Sequence, residues 1–235
     1  MNDLHGKTIL VVGASGALGS VIASELLNRG AQVLGTTSRN ERAESIPSRV
    51  SLRLLLDFEK AESIETLVNY LVNSGAHIDG IINAAGVVAF GGAGDLSQSE
   101  IQRLLSVNLT GPISLISGLL PLLRNSAQLG NSPFILNISG LVAEQPMANM
   151  AAYSAAKAGL WAWGQALTRE LRRDGIRVID ARPGHTETGL ASRAIAGTAP
   201  NFATGMSTDY VAGRIIQAIV ENETDLPSTS FKELA

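Results

Sequence analysis

The stretch from Thr8 to Gly19 constrains this chain most. Thr8-Ile9-Leu10-Val11-Val12 is a short β-branched, apolar run that enters Gly13-Ala14-Ser15-Gly16-Ala17-Leu18-Gly19 without a spacer. A helical pattern follows to Arg29 and stops at Gly30. An apolar run of this length, bounded by glycine, reads as a parallel strand buried on both faces. A parallel strand needs a crossover, usually helical, before its neighbour, so the opening residues read as the start of a βαβ pattern. The turn adds a chemical property. Its backbone N–H groups and the positive end of the following helix dipole face one point, and glycines let a phosphate approach closely. A glycine triplet alone is weak; one set between a strand and a helix points to a pyrophosphate cradle.

The rest of the chain repeats the unit. Gln32 to Thr36 reads as a second strand and Val50 to Leu56 as a third, ending in Asp57. Lys60 to Asn73 is a helix with Ile64, Leu67, Val68 and Leu71 on one side. Asp79 to Asn83 is a fourth strand, followed by Ala84-Ala85-Gly86 and a glycine-rich loop through Gly94. Ser97-Gln98-Ser99-Glu100 fits a capping box. It opens a long helix that carries Asn108 and is expected to kink at Pro112, which has no N–H to give. Phe134 to Ile138 is a fifth strand ending at Ser139. A helix around Tyr153 runs to near Gly175, and Arg177 to Ala181 is a sixth strand before Pro183-Gly184. The loop at about 185–207, rich in Gly, Ala and Thr, is placed to cover a substrate. Asp209 to Glu221 is a last amphipathic helix, and the tail after it shows no closing strand. No linker or repeat divides residues 1–235. The expected fold is one α/β domain, a Rossmann-type doubly wound parallel sheet. Ligands in such sheets bind at the carboxyl ends of the strands, where Gly13, Thr37, Asp57, Asn83, Ser139 and Pro183 fall.

Composition narrows the function. Hydrophobic residues at 45% and charged residues at 17% suit a packed globular chain. A net charge of -3 leaves no footprint for nucleic acid or an anionic membrane surface. The absence of Cys excludes disulfides, thiolate metal sites and a thiol nucleophile. His5, His77 and His185 lack metal-ligand spacing, so no metal is expected and each reads as an ordinary loop or surface histidine. The first residues do not resemble a secretory leader. Pro121 breaks the apolar run Leu119 to Leu123, short of the roughly 18 residues a membrane span needs. A cytoplasmic protein with no membrane or nucleic-acid partner is expected.

Asn149 to Gly159 carries the chemistry. This Ala-rich stretch favours helix, and a helix sets Tyr153 and Lys157 on one face, one turn apart. A phenol has a reference pKa of about 10. A fixed ammonium beside it favours the phenolate, and a tyrosine so tuned can give a proton to a carbonyl oxygen or take one from an alcohol. Tyr and Lys at this spacing also occur on solvated faces, and the rest of the chain decides between the readings. At the end of the second strand an acid would hold a ribose 2′-OH and a cation a 2′-phosphate. The chain offers Thr36-Thr37-Ser38-Arg39 with no acid before Glu41, which favours NADP(H) over NAD(H).

With these motifs in order, the chain resembles the classical short-chain dehydrogenase/reductase family, 3-oxoacyl and carbonyl reductases among its members. The resemblance is carried by the glycine turn, Asn83-Ala84-Ala85-Gly86, Val107-Asn108-Leu109-Thr110-Gly111, Asn137-Ile138-Ser139, Tyr153-x-x-x-Lys157 and Pro183-Gly184-x-x-x-Thr188. It implies Tyr153 as general acid/base, and Lys157 as holder of the nicotinamide ribose that also lowers the Tyr153 pKa. Ser139 would bind the substrate oxygen and Asn108 would hold a relay water. Gly13, Ser15, Gly16, Ala17, Leu18 and Gly19 would border the pyrophosphate. Ser38, Arg39 and Asp57 would meet the adenosine half. Asn83, Ala84, Ala85 and Gly86 would lie along the cofactor, and Pro183, Gly184, Thr186 and Thr188 would meet the nicotinamide.

Two departures bear on these roles. The glycines are spaced Gly-x-x-Gly-x-x-Gly rather than Gly-x-x-x-Gly-x-Gly. Ser139 precedes Tyr153 by 14 positions, one more than usual, so the usual position falls on Gly140. The expectation is that the Leu141 to Met150 loop absorbs the extra residue and leaves Ser139 beside the Tyr153 hydroxyl. The expected activity is NADP(H)-dependent interconversion of a small-molecule ketone and a secondary alcohol. An NAD-linked alcohol dehydrogenase and a non-catalytic nucleotide-sensing regulator are the alternatives. A homodimer or homotetramer is expected, with Leu115, Leu119, Leu160, Trp161 and Trp163 as surplus apolar surface on two helices.

Overall fold

The computed structural model describes residues 4–231. The ends of the expected 1–235 domain, including the first residues read for a leader, lie outside the described residues. Seven strands form one parallel sheet: β1 Thr8–Val12, β2 Gln32–Thr37, β3 Leu52–Leu55, β4 Gly80–Asn83, β5 Phe134–Ile138, β6 Arg177–Ala181 and β7 Asp225–Leu226. Their order is β3-β2-β1-β4-β5-β6-β7, with the reversal between β1 and β4 that defines a doubly wound sheet.

β1 shows why this order suits the sequence. Leu10 stands beside Leu34 of β2 and Ile81 of β4. Ile9 and Val11 pack into one apolar layer, Leu10 and Val12 into the other. A strand apolar at every position can only lie between two layers, and period-two alternation feeds both. The first layer is covered by α1 Ala17–Asn28 and α7 Thr208–Glu221, through Ile22, Leu26, Ile215 and Ile219. The second is covered by α2 Ala61–Asn73, α4 Gly111–Gln128 and α6 Ala151–Leu171, through Leu67, Leu71, Leu119 and Leu167. Two short helices, α3 Gln98–Leu105 and α5 Leu141–Glu144, complete the set. The capping box at Ser97 is present in both its hydrogen bonds.

Four expectations need correction. Pro121 does not break its helix: α4 runs through it to Gln128, held by buried Leu119, Leu122 and Leu123. Gln98–Gln128 is thereby long and apolar enough, by length and composition, to cross a membrane, yet in this fold its apolar side packs on the sheet. The distortion expected at Pro112 lies just before it, as a π turn at Ser106–Thr110, and Pro112 sits in the first turn of α4, where a missing N–H costs least. The tail does close the sheet. β7 is two residues long, too short for a legible pattern, but Leu226 is fully buried. Finally, Leu115, Leu119 and Leu160 are not surplus surface, since each is buried within its own chain. Trp161 lies under Arg182, and Trp163 packs against the second layer.

Candidate active site

A cleft of about 1240 Å³ opens along the carboxyl ends of the strands. At its centre the glycine turn closes through Gly16 N–H to Gly13 O at 2.9 Å. Gly13 has φ +79, and a Cβ on Gly19 would lie 2.2 Å from the Gly13 carbonyl oxygen. The chain can pack this tightly only without those side chains, and the N-terminus of α1 is thereby left open to the cleft. Thr36 Oγ1 accepts from Gly13 N at 3.0 Å, and Ser15 Oγ donates to Thr37 Oγ1 at 3.0 Å. Hydroxyls at the end of β2 thus fix the turn. Despite its unusual glycine spacing the turn stays compact and lines the cleft at the N-terminus of α1, an arrangement that fits the phosphates of a dinucleotide.

Ser38, Arg39 and Asp57 line the same cleft beyond the ends of β2 and β3. Asp57 is not a helix cap, because Lys60 takes the N-cap position of α2. Its carboxylate accepts from Glu59 N at 3.0 Å. Arg42 also lines the cleft, from the 3₁₀ turn Asn40–Ser45. Reading the sequence missed it, although a second cation three residues after Arg39 was available as a signal.

Tyr153 and Lys157 stand on α6 and enter the cleft from the β5 side. Lys157 Nζ donates to the Ile138 carbonyl at 2.8 Å and lies 5.9 Å from the Tyr153 ring centroid. Burial brings the Lys157 ammonium down to about 8, with the charge of Asp180 opposing the fall. The Tyr153 phenol is pushed up to about 12 by burial, opposite to the expected lowering. The reason is geometric: the ammonium bonds to Ile138 rather than to the phenol, while desolvation disfavours the phenolate.

Ala84, Ala85, Gly86, Pro183, Gly184, Thr186 and Thr188 line the cleft as expected, with Ala17, Leu18 and Ser15 at the cradle. Asn83 and Asn108 do not. Asn83 pairs in register with Asn137 of β5, and its amide donates across the sheet to Asn137 Oδ1 at 3.4 Å rather than lying along the cleft. Asn108 is buried behind Gly86, its amide donating to Val87 O at 2.9 Å and Leu104 O at 3.0 Å. Its side chain is a structural clamp. Its backbone carbonyl, however, faces Pro112 four residues on, which supplies no helical N–H.

Ser139 also departs from its expected place. The residue borders the cleft, but its hydroxyl is buried and donates to Asp180 Oδ1 of β6 at 2.5 Å. The N–H groups of Ser139 and Gly140 both reach Ala181 O, at 3.0 and 3.2 Å, and Gly140 turns the chain with φ +77. Pairing with β6 therefore continues one residue beyond β5 and directs the Ser139 side chain at its neighbour strand. Of the Leu141 to Met150 segment expected to absorb an insertion, the first four residues form α5 and the rest is loop.

The far end of the cleft is apolar. Val88, Phe90, Val142 and Met150 form a cluster with Leu190 and Phe202, and the Tyr153 ring packs against it. The covering loop is pinned rather than open: Ile195 N donates to Val88 O and Phe90 N donates to Ala196 O. Gly197 at φ +69 leaves no room for a Cβ, which would fall 1.8 Å from Phe90 O. His185, a half-buried loop residue as expected, also lines this region, stacked on Phe202 at 4.7 Å. Among the described residues no group of acidic or histidine side chains could hold a metal.

The family model for short chain dehydrogenase matches residues 7–198. The chain belongs to the short-chain dehydrogenase family. It is therefore an oxidoreductase by family, with the Rossmann-like sheet shared by its structural neighbours. A ketoacyl reductase, HetN, of Nostoc sp. is 31% identical, over 96% of this chain and 79% of its own length. A short-chain dehydrogenase from Sphingobium yanoikuyae, solved in complex with NADPH, is 25% identical with a TM-score of 0.83, covering 94% of this chain and 87% of the other. A 3-ketoacyl-(acyl-carrier-protein) reductase from Brucella melitensis, complexed with NADH, shares the fold at 22% identity and a TM-score of 0.83, covering 97% of this chain and 100% of the other.

Proposed function

We propose that this short-chain dehydrogenase interconverts a ketone and a secondary alcohol with NADP(H), using Tyr153 as general acid/base. One observation carries the reading: Tyr153 and Lys157, one turn apart on α6, share a single cleft with the Gly13–Gly19 cradle. Gly13, Gly16 and Gly19 would hold the pyrophosphate, and Thr186 and Thr188 would meet the nicotinamide end. Arg39 and Arg42 would meet a 2′-phosphate, a bidentate site that an arginine fork suits. When bound, the nicotinamide would supply the hydride, which is cofactor chemistry rather than protein chemistry.

The chain's own residues handle the proton. In the reducing direction the Tyr153 hydroxyl donates to the substrate oxygen as negative charge develops there, and the Lys157 ammonium offsets the phenolate left behind. The proton is restored to Tyr153 through a water held by the Asn108 carbonyl. Ser139 takes no part at the substrate oxygen, because its hydroxyl is engaged by Asp180. The wall of Phe90, Val142, Met150, Leu190 and Phe202 suits an uncharged carbonyl compound with a bulky apolar group, and a cytoplasmic setting accords with this chemistry.

The direct experiment is NADPH oxidation by the purified protein over a panel of ketones graded in size and charge. Turnover is expected with apolar aryl or alkyl ketones and not with small anionic oxo acids. No oxidation with any ketone would overturn the reading.

A further inference from the structure

Behind the cleft lies a buried charge cluster that the proton transfer described above does not use. Arg182, the residue after β6, is only 2% exposed although it is a cation. Its guanidinium donates to Glu144 of α5, to Asp180 Oδ1 at 2.8 Å and to Asp225 Oδ1 of β7 at 2.7 Å. It also stacks 4.7 Å from the ring centroid of Trp161, which stands one turn beyond Lys157 on the same face of α6. One guanidinium therefore faces three carboxylates. Asp225 is 63% exposed and solvated. Asp180 and Glu144 are not, so one guanidinium is set against two shielded carboxylates. Asp180 is the sharper case: Oδ1 accepts from Ser139 and Arg182, while Oδ2 is buried with no hydrogen-bond partner. An uncompensated carboxylate in such a place is costly, and burial raises its pKa to about 6.

The remaining cation nearby is Lys157. Its ammonium meets the Ile138 carbonyl of β5 and lies near the Tyr153 ring of its own helix and the Gly86 backbone. Ile138 pairs in register with Ala181, which brings in the neighbouring Asp180 of β6, whose charge acts on Lys157. Asp180 is the one anion among them. Asp180 in turn is faced by Ser139 from β5, by Arg182 just after its own strand and by Lys157 from α6, with Glu144 and Asp225 reaching it through Arg182.

We propose that the buried carboxylate of Asp180, fixed in place by Ser139 and Arg182, is the counter-charge that keeps the Lys157 ammonium protonated and seated in the cleft. Asp180 is thus a positioning residue, acting on the proton transfer only through Lys157. The proposal rests on the oxidoreductase reading given above. It explains why Ser139 turns to β6 and why an arginine is buried there: both hold the carboxylate in its charged form. It also ties the site to the C-terminal segment, since Ser228 donates to the same Glu144 carboxylate at 2.7 Å.

The sign of the effect follows. Near neutral pH Asp180 is charged and raises the pKa of Lys157; removing that charge lets the ammonium lose its proton at lower pH. Asp180→Asn keeps the shape and the acceptor oxygen while removing the charge. For ketone reduction, the alkaline limb of the wild-type kcat profile is expected to follow loss of the Lys157 proton, near 8. In D180N that limb is expected to move to lower pH by about one unit, the scale of one nearby charge. At pH 8 kcat should fall about fivefold with KM for the ketone little changed. A limb that stays in place, in an enzyme that Tyr153→Phe silences, overturns the role of Asp180 alone. Turnover that survives Tyr153→Phe overturns instead the proton-donor role of Tyr153 on which the proposal rests. If D180N does not fold, nitrogen NMR of the Lys157 ammonium in the wild type decides without any activity. A midpoint above neutrality supports the counter-charge, whereas one below neutrality, the result of burial with no offsetting anion, overturns it.

Discussion

Lys157 Nζ donates to the carbonyl oxygen of Ile138 at 2.8 Å, which ties the middle of α6 to the last residue of β5. The ammonium also lies near Gly86, where a Cβ would be 3.7 Å from Nζ and 3.1 Å from Asn108 Oδ1. Charge alone is not sufficient in so confined a space. Lys157→Arg keeps the charge but brings a planar fork that cannot make the same contact. Turnover is expected to fall by about 10²-fold, the lower range for loss of acid–base function. Steady-state kinetics beside a circular dichroism melt would check this, and an active K157R would show that position matters less than charge.

The glycine cradle predicts a sharp contrast between two substitutions. Gly19→Ala puts a methyl 2.2 Å from the Gly13 carbonyl, a backbone atom that cannot swing away. NADPH binding measured by calorimetry should weaken at least tenfold, with about 1–3 kcal/mol of stability lost to strain. Gly213→Ala, on the exposed side of α7, meets nothing within 4 Å and should raise stability by about 0.5–1 kcal/mol through helix propensity.

Cofactor preference should rest on two arginines rather than one. Arg39→Ala is expected to reduce the ratio of kcat/KM for NADPH to that for NADH, and Arg39→Ala with Arg42→Ala to bring it near unity. The effect should shrink as salt rises, because both side chains are exposed. An unchanged ratio in the double variant would make the pair bystanders.

Ser139→Ala now carries a different expectation from a substrate contact. It removes a donor to a buried carboxylate, so the loss should register in stability, at about 1–3 kcal/mol in a denaturant titration. KM for the ketone should hold. A stable variant with a large rise in KM would return Ser139 to the substrate.

The parallel sheet, its helices and the cleft were legible because each signal was local. Strands apolar at every position, a turn of glycines and a capping box at Ser97 report on a few consecutive residues each. Where the reading failed, the deciding contact was distant in sequence. Ser139 was misplaced because its direction is set by pairing with Ala181 and Asp180, some forty residues later. Asn83 was drawn inward by Asn137 across the sheet. Pro121 was overruled by the packing of α4, as tertiary contacts override propensity. One signal was present and unused: Asp180 and Arg182 are charges at the end of a buried strand, and buried charges demand partners.

The central claim is that Tyr153 is the proton donor in a cleft otherwise built to bind the cofactor. Tyr153→Phe removes one hydroxyl and leaves the ring packed against Val88 and Phe90. Side-by-side measurement of NADPH affinity and ketone turnover in this variant tests the account. It predicts that affinity changes by less than about threefold while kcat falls by at least 10²-fold, the ordinary worth of a positioned acid. Turnover within tenfold of the wild type would contradict it.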